Sequence, residues 1–548
     1  MQQQSTAYYH YILSYAYRLQ GQEADALPAA IAEIEQALRA APDSAFLHTE
    51  LARLYVQRGE LAAARDACQR ALALDPAYEP GHLLLGKIYL GLEQKEAARD
   101  AFRRAIALNP QREEAYLYLA SLLVEAGQAA EARAALEQLL HERPDSARGL
   151  YALGHLFAEQ GDYAQAEALL QQAITYQPRF ERAYSLLGTL YELQKRYDEA
   201  IAVLQRALEV NPYEKTFRQR LAELYIQQND FAQALAIYEQ LQVLDPHNVR
   251  LRARLGLLYL ELKQFAKALE ALQAVAAAEP ANAEVRYYLA RAYEELERYD
   301  EALQAVQQAI ALRPQAIDFY LYLGHLYGRL DNPQQALVTF AQAAKLAPDD
   351  ARVHFYLGLA QAEQKDYGAA VASLQKAIAL DADNATYHFN LGVVYEKMGN
   401  FEASVAQMKR TIELNPNHAN ALNYLGYMYA DRGINLDESI AVIQRALAIE
   451  PNNGYFLDSL GWAYYKKGWY EKALHELERA VAAVPDDPVI LEHLGDVYFR
   501  LQRLPEAQAA WQKALSLKPH NPSVEAKLHQ LKALMEKAAQ EAPAPGHP

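Results

Sequence analysis

The stretch 488–521 reads PVILEHLGDVYFRLQRLPEAQAAWQKALSLKPHN, and it decides the fold because the chain keeps repeating it. Three hundred residues earlier, 181–214 reads ERAYSLLGTLYELQKRYDEAIAVLQRALEVNPYE. Laid one on the other, Leu494-Gly495, Tyr498, Ala507, Trp511, Ala514 and Pro519 fall on Leu187-Gly188, Tyr191, Ala200, Leu204, Ala207 and Pro212. The closing proline recurs fourteen times, at 42, 76, 110, 144, 178, 212, 246, 280, 314, 348, 416, 451, 485 and 519. The stride is 34 residues, with Ala382 in the one empty slot and a single step of 35 from Pro416 to Pro451. A fixed period of this size describes units that bury their apolar faces only against their neighbours.

Within a block the apolar residues fall at helical spacing, as in Leu187, Leu190, Tyr191 and then Ala200, Val203, Leu204, Ala207. The spacing predicts two helices, here called A and B, on either side of a short polar turn. Gly or Ala recurs at the eighth position (Gly86, Gly154, Gly324, Gly495) and Ala at the twentieth (Ala64, Ala166, Ala370). Small residues there let two backbones approach closely, while larger residues at positions 7, 11 and 24 fill the surrounding space. The proline ends the second helix, and the Asp or Asn that often follows, as in Pro348-Asp349-Asp350 and Pro451-Asn452-Asn453, starts the next.

These blocks resemble the tetratricopeptide repeat, whose pattern is Leu-Gly, Tyr, Ala, an aromatic, Ala and Pro over 34 residues. Fifteen of them run in register through nearly the whole chain. The resemblance implies an all-α fold, a right-handed superhelical solenoid of helix pairs. The divisions are an atypical first repeat over 1–44, repeats two to fifteen over 45–521, a capping helix over 522–540 and a disordered tail over 541–548. In repeat one, Ser14 replaces the small residue at position 8, and Gln22 to Pro28 holds about four extra residues. Repeat thirteen carries one extra residue within Arg432–Asp437. After Pro519, Val524, Leu528, Leu531, Leu534 and Met535 lie on one face of a helix.

Length alone suggests several globular domains, but the repeat makes one elongated array. The 548 residues carry a net charge of −16, which disfavours nucleic-acid backbones and anionic membranes as general partners. No apolar run reaches transmembrane length, and Met1 to Thr6 shows no signal pattern. A cytoplasmic location follows, or an envelope location if a leader precedes this sequence. Cys68 occupies position 24, a packing site, which makes it an inert thiol.

Catalytic and cofactor motifs are missing: there is no phosphate loop, no His-Glu-x-x-His, no cysteine pair and no nucleophile elbow. His48 with His82 and His354 with His388 sit one stride apart at position 4. Two ligands without a third make a poor metal site, and packing is the better reading. The expectation is a protein that is not an enzyme and holds no cofactor.

In the resembled family the A helices line a concave wall through positions 2, 5, 6, 9, 12 and 13. Column six runs Arg220, Arg254, Tyr288, Tyr322, Tyr356, Asn390 and Tyr424. The expectation is a ladder of tyrosines flanked by arginines, both being typical interface anchors. The bland alternative is that an abundant residue fills columns by packing. Arg148, Arg182 and Arg250 in column two, with Arg218, Arg252, Arg286 and Arg291 nearby, could receive an acidic segment, unless neighbouring carboxylates already neutralise them. Tyr427, Tyr455, Trp462 and Tyr465, with Asn423 and Trp469, form a third cluster. The family's chaperone-tail clamp needs Lys in column five and Asn in column nine, and neither is present.

The runs Leu422–Tyr427, Asn435–Glu438 and Gly454–Tyr465 are more particular. They resemble bacterial multi-repeat adaptors, several of them envelope lipoproteins. Asp458 and Ser459 interrupt the aromatic run and mark a local feature of that repeat. The implied function is a scaffold that binds an extended protein or peptide segment along the wall. The alternative is a substrate-recruiting or regulatory subunit of a separate protease or transferase in the bacterial envelope. A self-assembling array is a third reading.

Overall fold

The computed structural model describes residues 2–19 and 26–541. Every regular element among them is a helix, 31 in number, so the fold is all-α as the repeat predicts. From Ala45 to Leu517, A helices of 13 or 14 residues alternate with B helices of 14. The chain divides into two compact units, Met1–Ala271 and Leu272–Pro548, with the boundary inside the B helix Phe265–Ala278 of repeat eight. In each unit, helices pack on their immediate neighbours in sequence.

The close approach of A and B is visible at the position-eight glycines. A Cβ on Gly324 would stand 2.4 Å from the Phe340 ring, and one on Gly495 would stand 2.4 Å from Trp511. Those rings belong to position 24, which is buried throughout: Phe102, Leu136 and Leu170 in the first unit, Leu374, Ile443 and Leu477 in the second. Where position 20 is Ser rather than Ala, the hydroxyl finds a partner across the same contact. Ser404 Oγ donates to the Gly392 carbonyl at 2.7 Å, and Ser439 Oγ to that of Gly426 at 2.6 Å. Repeat one inverts the device: Ser14 at position 8 donates to the Ala30 carbonyl at 2.8 Å.

The A-to-B turn needs one left-handed residue. Glycine supplies it at Gly59 (φ 85°) and Gly399 (φ 75°), but Lys195 and Glu297 take it at φ 58°. Helix starts are capped as expected: Asp350 and Asn453 each accept from backbone N–H groups of the first turn. The extra residue of repeat thirteen is taken up in the turn after its A helix, where Asn435 (φ 46°) adds a second left-handed residue to Gly433 (φ 69°). Position-four histidines tie down the preceding turn. His48, His82 and His354 donate from Nε2 to the carbonyls of Pro42, Pro76 and Pro348 at 3.0, 2.9 and 2.8 Å. His388 reaches Ala382, the slot without proline, at 3.2 Å. Cys68 is buried, donates to the Gly81 carbonyl at 3.1 Å, and its thiol is pushed up to about 12 by burial.

The helix Pro522–Glu541 seats Val524 and Leu531 against Ala507 and Trp511, which covers repeat fifteen. Of the inserted residues in repeat one, 22–25 lie outside the described residues, as does the tail from 542. No described helix is long and apolar enough to cross a membrane.

Candidate functional site

Side chains of column six reach backward. Arg220, Tyr322 and Tyr424 lie in the crease between their own A helix and the preceding one, where they meet positions 5, 9 or 12 of that earlier helix. In the first unit the Arg220 guanidinium is spent this way. It donates to Ser185 O and Oγ (3.1 and 3.2 Å), to Thr189 Oγ1 (3.1 Å) and to Glu192 Oε1 (2.7 Å). Arg220 is therefore a clasp between repeats six and seven, while Arg254 is exposed.

In the second unit Tyr322 donates to Glu294 Oε2 at 2.7 Å, and Tyr424 to Glu396 Oε2 at 3.1 Å. Burial first, and the carboxylate second, push the Tyr322 hydroxyl well above its ordinary range. For Tyr424 burial is again the largest cause, followed by the charge of Glu396. Glu294 is buried and also receives Arg329 Nη1 at 3.2 Å. The expected ladder needs correcting here. Among the described residues, column-six rings stack on rings at other positions and not on one another. Tyr322 packs edge-on to Tyr287 with centroids 5.2 Å apart, and Tyr356 stacks on Phe340 at 5.6 Å and 16°. The reason is the crease: Tyr322 finds its hydrogen-bond acceptor Glu294 and its ring partner Tyr287 on the previous A helix.

Between the A helices Ala283–Glu295, Ile317–Arg329 and Ala351–Glu363 lies a groove of about 510 Å³. Tyr287, Tyr288, Phe319, Leu321, Tyr322 and Tyr356 line it. Tyr288 is half-buried and Tyr356 is 39% exposed. Two ion pairs stand on the rim, Arg313 with Glu284 at 2.7 Å and Arg352 with Asp318 at 2.9 Å. Tyr287 and Phe319 were missed by reading column six alone. Column five, which runs Tyr287, Leu321, Phe355 and Phe389, carries the signal for Tyr287, whereas Phe319 stands at position 3.

Asn390 is half-buried and turns back on its own helix, Nδ2 donating to the Thr386 carbonyl at 2.8 Å. Tyr424 and Tyr427 line a second concavity of about 360 Å³ with Phe401, Met428, Glu396, Asp431, Lys397 and Arg432. Tyr455 is 57% exposed. Trp462 is buried rather than presented on an open wall: its ring is stacked on Tyr465 at 4.8 Å and on His493 at 4.0 Å.

That stack leads to a polar network beneath the capping helix. His493 Nδ1 and Asp458 Oδ1 are 2.8 Å apart, and both residues are buried. Lys527 of the capping helix binds Glu492 Oε1 and Asp496 Oδ2, each at 2.7 Å, and Trp511 Nε1 donates to Asp496 Oδ1 at 3.1 Å. Burial pulls the imidazole down, but Asp458 outweighs it, so His493 titrates above its ordinary range. Burial raises Asp496 despite Lys527. His493 and Lys527 are again column-six residues reaching back to positions 5 and 9. The interruption noted at Asp458 is thus one half of a buried pair. Among the described residues no group of three or more His, Cys, Asp and Glu is arranged to hold a metal ion.

Models described as tetratricopeptide or TPR repeats match residues 221–290, 295–359, 362–399, 389–454 and 459–522. Residues 8–220 match the cilia and flagella-associated protein 70 C-terminal domain. No curated protein matches the chain. Among solved structures, the APC/C hetero-tetramer Cut9–Hcn1 is similar at 19% identity over 84% of this chain and 96% of that one, with a TM-score of 0.36. MamA is similar at 26% identity over 30% of this chain and 95% of that one, TM-score 0.28, and yeast Tom70 at 14% over 91% and 99%, TM-score 0.33. With fifteen helix pairs on one stride and tetratricopeptide models matching from residue 221 to residue 522, this chain belongs to the tetratricopeptide-repeat family.

Proposed function

We propose that the protein is a non-enzymatic scaffold that holds an extended segment of a partner protein against its A helices, in the groove of repeats nine to eleven. The observation that carries this reading is the groove itself. Six apolar or aromatic side chains converge on about 510 Å³, with the Tyr288 and Tyr356 rings open to solvent in part. Tyrosine offers a large rigid contact area with a hydrogen-bonding tip, at the entropic cost of two torsions. An aromatic cluster left half-exposed is stabilised when a partner covers it. Arg254, Asn390 and Tyr455 extend the same set of columns, and protein partners suit a family whose repeats serve as interaction scaffolds.

The test is to identify a bound partner segment by affinity capture with mass spectrometry, then measure its affinity for Tyr288→Ala and Tyr356→Ala. Each substitution should weaken binding at least about tenfold, with helicity unchanged by circular dichroism. Unaltered affinity in both variants would place the partner elsewhere.

A further inference from the structure

We propose that the concavity between the A helices Ala385–Lys397 and Ala419–Arg432 is a pocket for a basic side chain, lysine or arginine, of the extended partner segment. The inference rests on the reading above, that A-helix faces hold such a segment, and it names the chemistry of one contact two repeats further along.

The pocket measures about 360 Å³. Its walls are Tyr424, Tyr427 and Phe401, and its charged lining holds Glu396 and Asp431 together with Lys397 and Arg432. Tyr424 fixes one carboxylate by donating to Glu396 Oε2 at 3.1 Å. The Tyr427 hydroxyl is pushed up to about 12, by burial first and then by Asp431, Asp458 and Glu396. The two cations of the lining, and Lys466 beside it, already have partners. The Arg432 guanidinium lies 4.0 Å over the Phe401 ring, and Lys466 Nζ binds the Asp431 carbonyl at 2.9 Å while sitting 4.8 Å over Trp462. Lys397 stands 3.4 Å from Glu396 Oε2 with its side chain 57% exposed, a solvent-screened pair that a better-placed cation can displace. The Asp431 carboxylate makes no ion pair among the described residues.

The three kinds of guest fare differently. An acidic side chain meets the unpaired Asp431 carboxylate and finds both cations of the lining already partnered. An apolar one strips water from Glu396 and Asp431 and returns no hydrogen bond. An ammonium or guanidinium restores both, and aromatic faces attract it further. Arg432 on Phe401 shows that a wall of this pocket already accepts a guanidinium.

The experiment uses the full chain and fluorescein-labelled twelve-residue peptides with one Gly/Ser/Tyr frame and a central Arg, Lys, Leu or Glu, read by fluorescence anisotropy. The Arg and Lys peptides should bind at least about tenfold tighter than the other two, and E396Q/D431N, which is near-isosteric, should erase that preference without changing helicity. Equal binding of all four, a preference that survives the double variant, or no binding of any peptide overturns the pocket. If Tyr288→Ala and Tyr356→Ala weaken all four peptides but no basic preference exists, the groove reading stands and the pocket falls. If the basic preference holds and those variants change nothing, the pocket stands and the groove reading falls.

Discussion

The same substitution at the same repeat position should have opposite effects in two repeats. Gly188 and Gly324 both occupy position eight of an A helix. In each, Gly→Ala gains about 0.8–1.0 kcal/mol of helix propensity. At Gly188 the added Cβ meets Arg220 Nη2 at 3.5 Å and Leu204 Cδ2 at 3.6 Å, which is ordinary contact. At Gly324 it meets Phe340 Cε1 and Cζ at 2.4 Å, more than an ångström inside the contact distance of about 3.5–4.0 Å for two carbons. Phe340 cannot yield freely, because its other face stacks on Tyr356. Propensity cancels between the two variants, so their difference is the overpacking cost, about 1–3 kcal/mol. Gly188→Ala is then neutral to stabilising and Gly324→Ala destabilising. Native-state hydrogen exchange of the two A helices reads each effect locally, which matters in an array that opens repeat by repeat. The clash has a specific rescue. Repeat four pairs Ala120 with Leu136, so Phe340→Leu in the Gly324→Ala background should recover most of the loss. Equal exchange protection in the two single variants, or no rescue, refutes the close-approach argument.

The buried His493–Asp458 pair makes stability depend on pH. The folded imidazole titrates above its unfolded value of about 6.5, so the pair's contribution is fully present below that pH and is lost as pH rises through the higher folded value. The urea midpoint of the C-terminal repeats should therefore fall between neutral and alkaline pH. His493→Ala should lower the unfolding free energy of those repeats by about 3–5 kcal/mol at pH 6, because Asp458 is left buried and unpaired, and should flatten the pH dependence. At Lys195, held at φ 58°, replacement by Gly relieves a left-handed strain of about 1–2 kcal/mol against an entropic cost of about 0.5–1 kcal/mol, so Lys195→Gly should stabilise slightly in thermal unfolding.

The helix pairs were legible because each repeat must solve the same packing problem with the same residues: a small one where backbones touch, a large one beside it, a proline to stop. Directions of side chains were not legible, because the columns compare residues 34 apart. The contacts that matter run at other offsets. Asp458 and His493 are 35 apart, Tyr322 and Glu294 are 28 apart, and His48 caps a carbonyl six residues back. Read straight down, column six looks like a ladder. Read one helix back, it is a set of clasps, and Arg220 with its four short contacts is the plainest of them.

This double duty decides which residues can report on binding. Tyr322 lines the groove and also satisfies a buried carboxylate. Removing its ring leaves Glu294 with Arg329 at 3.2 Å and His325 at 3.8 Å, and a buried acceptor that loses a partner costs about 1–3 kcal/mol. A weakened partner in Tyr322→Ala would therefore mix lost contact with a loosened joint between repeats nine and ten. Tyr356 stacks on an aromatic ring and stands 39% exposed, so its truncation leaves no buried carboxylate without a partner. It follows that Tyr356 and Tyr288 separate recognition from assembly, whereas Tyr322 and Arg220 measure how tightly one repeat is fastened to the next. A partner that presses on the groove also presses on the Tyr322 clasp, so binding should stiffen the joint it covers: hydrogen-exchange protection should rise in the helices Ala283–Glu295 and Ile317–Arg329 together, and protection confined to one of them would uncouple groove from clasp.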